Sequence, residues 1–77
     1  MKQHPHHSAL RAAVARAENN QSRFARDVGT TQQLVSYWLA NGKALPAELV
    51  LATERAGYGG RHELRPDLYP LEEAQAA

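Results

Sequence analysis

The feature that most constrains this chain is a glycine, Gly29, standing between two short stretches that each carry a helical apolar stripe. Before it, Gln21 to Val28 places Phe24, Ala25 and Val28 on one helical face and Arg23, Arg26 and Asp27 on the other. After it, Gln32 to Ala40 sets Val35, Trp38 and Leu39 on an apolar face, with Gln32, Gln33, Ser36 and Tyr37 together on the opposite side. Glycine enters the left-handed backbone region without steric cost, so Gly29 ends the first stretch and bends the chain into the second. Ala25, four residues ahead of it, lets the two helices approach closely. Val28, Val35 and Trp38 fill the wedge between them. Asn20 and Thr31 stand where each helix needs an N-cap, a side-chain oxygen that accepts a first-turn N–H.

The rest of the chain supports the same arrangement. Ser8 to Glu18 holds no Gly or Pro, is dense in alanine, and repeats Leu10, Val14 and Ala17 at helical spacing. Asn41-Gly42-Lys43 reads as a turn. Pro46 suits the first residue of a fourth helix, where its missing N–H is harmless. Leu49, Val50, Thr53 and Ala56 carry the helical period there, and Gly57 ends it. Tyr58-Gly59-Gly60 is a loop, His62-Glu63-Leu64 allows one more turn, and Pro66 stops it. No stretch reads as a convincing strand. The expectation is an all-α domain of four to five helices over residues 8–70. Residues 1–7 are set aside as a disordered or tag-like start, and residues 71–77 as a frayed tail.

At 77 residues the chain is one domain with a thin core. It has no cysteine, which excludes a disulfide scaffold and Cys-ligated zinc and suits a reducing cytoplasm. No apolar run approaches the ~18 residues of a membrane span. No nucleophile–base pair, phosphate-cradling loop or carboxylate pair suggests an enzyme, and no cofactor is implied. His4, His6 and His7 are metal-competent, but no carboxylate or cysteine is near them in sequence, so no specific metal site is expected. Residues 1–45 carry six Lys and Arg against two acids, and residues 46–77 carry three against six, for net charges of +4 and −3. A polyanion would therefore meet the first half, unless the asymmetry is mere scatter.

Two helices joined by a tight glycine turn make a helix-turn-helix, whose second helix enters the major groove of DNA. The polar side of Gln32 to Ala40 fits that use. Glutamine can bond adenine bidentately through N6 and N7, and serine can bond several bases. Gln32, Gln33, Ser36 and Tyr37 are thus the candidate base-contacting residues. Gln21 and Ser22, at the start of the preceding helix, can donate to a phosphate, and Arg23, Arg26 and Lys43 add charge. With Thr31, these six are the candidate phosphate-contacting residues. In isolation the glutamines are better read as solvated helix residues, and only the motif around them reverses that. Leu34, at the rim, either touches a thymine methyl or partly covers the core. Trp38 is core. Arg61, Arg65 and Asp67 are expected to pair at the surface and fix the closing turn.

The run Gln21-Ser22-Arg23-Phe24-Ala25-Arg26-Asp27-Val28-Gly29-Thr30-Thr31-Gln32-Gln33-Leu34-Val35-Ser36-Tyr37-Trp38-Leu39 resembles the Cro/YdaS group of small helix-turn-helix proteins. The resemblance continues through Gly42-Lys43-Ala44-Leu45-Pro46 and through Arg61 to Pro70 as a closing motif, covering about Ser8 to Pro70. It implies a compact lambda-repressor-like domain and a prophage or phage transcriptional regulator or antitoxin-like repressor that binds operator DNA. By position in the motif, Gln32, Gln33, Ser36 and Tyr37 match base-reading places and Gln21 a phosphate-contacting one. Tyr37 departs from the group, where lysine or arginine is common. The expected partner is double-stranded operator DNA, bound by a homodimer that forms in solution or on the DNA. The alternative is a protein-interaction module that binds a toxin or a polymerase subunit through the third or fourth helix.

Overall fold

The computed structural model describes residues 3–70; the expectation for the tail at 71–77 lies outside them, as do Met1 and Lys2. Five α-helices follow in order: α1 (His7–Arg16), α2 (Gln21–Val28), α3 (Gln32–Ala40), α4 (Val50–Arg55) and α5 (Arg61–Leu64). A single 3-10 turn, Ala47–Leu49, leads into α4. No strand occurs among the described residues, so the all-α expectation stands.

The local chemistry that marks α2 and α3 in the sequence also sets their ends. The Asn20 side chain accepts from Arg23 N at 3.0 Å, and the Thr31 hydroxyl oxygen accepts from Leu34 N at 3.2 Å. Gly29 lies at φ +86°, where its N–H and that of Thr30 both donate to the Ala25 carbonyl, at 2.9 and 2.8 Å. These bonds satisfy groups that a helix end otherwise leaves orphaned.

The stripes close into one core. Leu10, Ala13, Val14 and Ala17 of the first helical segment meet Phe24, Ala25 and Val28, then Val35 and Trp38, with Leu45, Val50, Tyr58 and Leu64 completing it. Thr53 is fully buried, and its hydroxyl donates to the Leu49 carbonyl at 2.7 Å, so its burial leaves no unmet donor. Among the described residues the α2–α3 pair is the most extensively packed.

Three boundaries differ from the sequence reading. The first helix stops at Arg16 rather than Glu18, because Glu18 (φ 61°) and Asn19 (φ 56°) both take left-handed conformations that turn the chain toward α2. Pro46 is not the first residue of the fourth helix; at ψ 145° it is extended and caps the 3-10 turn.

The third difference is at the start. Residues 3–7 do not stand apart from the fold. His4 N donates to Gly42 O at 2.8 Å, α1 begins at His7, and His7 is buried. The His7 Nδ1 lies 2.7 Å from the Lys43 carbonyl. A carbonyl only accepts, so Nδ1 carries the proton. The segment is a strap across the turn that follows α3. Nor are the histidines far from a carboxylate: the fold brings Asp67 within 3.5 Å of His6 Nε2.

Candidate nucleic-acid interface

With Val35 and Trp38 turned inward, α3 leaves Gln32, Gln33, Ser36 and Tyr37 exposed, Tyr37 by 54%. Gln32, Gln33 and Ser36 line one shallow depression. Among the described residues, the side chains of Gln33, Ser36 and Tyr37 make no hydrogen bond within the protein (none is present in the network that holds their neighbours). Gln32 is different, because Ser22 Oγ donates to its Oε1 at 2.9 Å across the helix pair. Leu34 is 46% exposed, so it belongs to the outer rim rather than the core.

The expected phosphate contacts fall into two groups. Ser22, Arg26, Thr31 and Lys43 are exposed and Gln21 is half-buried. Thr31 already serves as the α3 cap, although its hydroxyl proton is left to donate. Lys43 follows α3 directly and is held there by its own N–H, which donates to the Trp38 carbonyl at 2.9 Å. Arg23, by contrast, is drawn into the protein's own ion pairs, with Glu18 at 2.7 Å and Asp27 at 4.0 Å. Arg26 reaches Asp27 only at 3.9 Å and stays 78% exposed.

Charge is sorted by pairing as much as by sequence. Three acids of the second half are matched internally: Glu54 with Arg61, Glu63 with Arg16, and Asp67 with Arg65. Each is held below the ordinary carboxylate range. For Glu54 the main cause is the Arg61 backbone N–H, and for Glu63 the Arg16 guanidinium. Asp67 is lowered to about 2, chiefly by hydrogen bonds from Arg65. Among the described residues Arg11, Lys43 and Arg55 enter no ion pair. The molecule therefore presents more unpaired cationic than anionic side chains on its described surface.

Sequence reasoning missed three structural roles. Asp27 accepts from Tyr58 OH at 2.5 Å, which pins the loop after α4 to α2 and raises the Tyr58 phenol above its usual range. Arg65 does pair with Asp67 as expected, but it also donates to the Leu45 carbonyl at 2.8 Å. Arg61 pairs with Glu54 instead of joining them, and that carboxylate also accepts the Arg61 N–H at the start of α5. No local pattern signals contacts between residues 7 to 31 positions apart.

A five-helix domain built around this unit is a small helix-turn-helix protein. The family model for the bacterial toxin YdaS matches residues 10–73, and the chain belongs to that family. YdaS is a Cro-like prophage protein. The family carries the description of a toxin, where the sequence resemblance implies a transcriptional regulator or antitoxin-like repressor. No curated protein and no solved structure matches the chain significantly. No helix among the described residues is long and apolar enough to cross a membrane.

Proposed function

We propose that this protein is a sequence-specific DNA-binding transcriptional regulator of Cro-like type, with α3 in the major groove. The observation that carries this reading is the outer face of α3. Gln33, Ser36 and Tyr37 expose donors and acceptors that the fold does not use, on a helix whose other side is locked into the core. Base edges are the natural complement of such a ridge. Arg26 and Lys43 supply phosphate contacts around it, which fix register without reading sequence. A two-fold dimer would place two half-sites about one helical turn apart.

The test is a fluorescence-anisotropy titration of duplexes from the gene's own upstream region over a salt series. A falling log K with rising log salt is expected. No binding in dilute buffer would end the reading. Gln33→Ala should cost ~1–3 kcal/mol and relax preference at one base pair. Lys43→Ala should weaken all sequences alike and reduce the salt slope by about one phosphate.

A second reading, a module that binds a toxin partner or a polymerase subunit, draws on a different surface. A shallow groove between α2 and α4 is lined by Val28, Ala52 and Ala56 and edged by Arg26 and Arg55. Co-elution with a partner that is insensitive to salt, without any DNA shift, would favour it.

A further inference from the structure

The outer face of α3 is not polar throughout. Four large apolar side chains are exposed among the described residues, Leu34, Tyr37, Leu51 and Leu68, and two of them stand on this one helix. Leu34 and Tyr37 occupy i and i+3 positions, so their side chains are neighbours on its surface. We infer that this pair is a methyl reader: it takes the C5-methyl group of a pyrimidine in the major groove, so that binding depends on thymine at one position and responds to methylation of a cytosine placed there. The inference rests on the reading of α3 as the base-contacting helix.

A lone exposed leucine needs no explanation. What gives this one a ligand is its company. Val35 and Trp38 commit the opposite side of α3 to the core, and Leu34 and Tyr37 lie outside that contact. Beside them are Gln33 and Ser36, exposed and without a hydrogen bond in the described protein, and the exposed Lys43 follows the helix. An apolar pair set among hydrogen-bonding groups and a cation matches an edge on which methyls alternate with acceptors beside phosphates. Two side chains are also far too little for a stable protein interface, which takes ~800 Å² from each partner. Leu34 is the third residue of α3, and Thr31 holds its N–H, so it is fixed on the turn that a recognition helix brings to the bases. The Tyr37 turn is fastened at its carbonyl, which accepts from both Asn41 N and Asn41 Nδ2.

The chemistry follows from what sets thymine apart. Its major-groove edge carries the O4 acceptor and the C5-methyl, whereas guanine also offers acceptors. A donor from Gln33 or Ser36 can therefore bond either base. The methyl separates them, and only an apolar group gains from it. Uracil keeps O4 and loses the methyl. 5-Methylcytosine carries a methyl on the same ring carbon of a C·G pair. Burying a group of that size is worth roughly fourfold in affinity.

The experiment begins with selection from a randomised duplex library by the wild type, which should enrich thymine. Each enriched thymine is then replaced in turn by uracil, cytosine and 5-methylcytosine, and the duplexes are titrated. At one position uracil should bind roughly fourfold more weakly than thymine, and 5-methylcytosine more tightly than cytosine by a similar ratio. Leu34→Ala should bind thymine and uracil duplexes alike there, and Tyr37→Ala should narrow the gap. Tyr37→Phe keeps the ring and should keep the gap. Each ratio compares two duplexes on one protein, so a general loss of stability or affinity does not imitate the result. An enriched motif without thymine, or uracil equal to thymine at every position, overturns the methyl reader and leaves the DNA reading intact. A uracil penalty that survives either alanine at full size overturns the assignment to this pair. No enriched motif for the wild type overturns both readings.

Discussion

Alanine at Gly29 and alanine at Gly42 should destabilise the domain to different extents, although both glycines have positive φ. At Gly29 (φ +86°) a Cβ would meet nothing within 4 Å, so only the backbone conformation resists it. That cost is about 1–2 kcal/mol for an L-residue in the left-handed region. It is partly offset because alanine has fewer unfolded conformations to lose, an effect of about 0.4–1 kcal/mol. The net is about 1 kcal/mol, or a fall of roughly 4–8 °C in Tm for a domain of this size. At Gly42 (φ +64°) the backbone cost is similar, but a Cβ would lie 2.9 Å from Gln3 Cγ and 3.2 Å from Gln3 Cα. The second contact is backbone, so the strap itself has to move. Doing so strains the bond from His4 N to Gly42 O, a further ~1 kcal/mol for a typical hydrogen bond. Gly42→Ala should therefore cost about twice as much as Gly29→Ala. Urea unfolding followed by circular dichroism measures both. Gln3→Gly should recover part of the Gly42→Ala loss and none of the Gly29→Ala loss, a coupling that a double-mutant cycle isolates. Equal losses at the two sites, with no recovery, would refute the claim that the strap packs on this turn.

Two further outcomes are expected. Acid should destabilise the fold through Asp67, whose folded pKa of about 2 lies below its ordinary 3.8. A group lowered on folding stabilises fully above its unfolded pKa and loses that contribution as pH falls through the folded one, so the loss runs from about pH 5 to below 2. With Asp67 40% exposed, solvent screening leaves about 1 kcal/mol for it, and Glu54 and Glu63 shift in the same sense. Asp67→Asn should flatten the Tm-against-pH curve in that window, and an unchanged curve would count against the pair. Asn20→Ala should cost about 1 kcal/mol by removing the α2 cap, with Asn20→Asp or Asn20→Ser close to neutral. Thermal melts of the three variants check it.

What was legible in the sequence was whatever a few neighbouring residues decide. The bounds of α2 and α3 could be read because Asn20, Gly29 and Thr31 act within four residues of themselves. The exposed face of α3 was legible for the same reason, since Val35 and Trp38 fix which side turns inward. The first helix was read too long because nothing local announces that Glu18 and Asn19 will both be left-handed. The opening histidines looked detached because their partners, Gly42, Lys43 and Asp67, lie 36 or more residues further on. The bond from the Ser22 hydroxyl to Gln32 is not legible in the same way, because periodicity along one helix cannot show a side chain reaching the next.

The strap has a practical corollary for anyone handling this molecule. Gln3 rests on Gly42 and His7 grips the Lys43 carbonyl, so polypeptide joined upstream of Gln3 would issue from the fold alongside the bend after α3. A purification handle fused there would crowd the very neighbourhood whose chemistry one wants to measure.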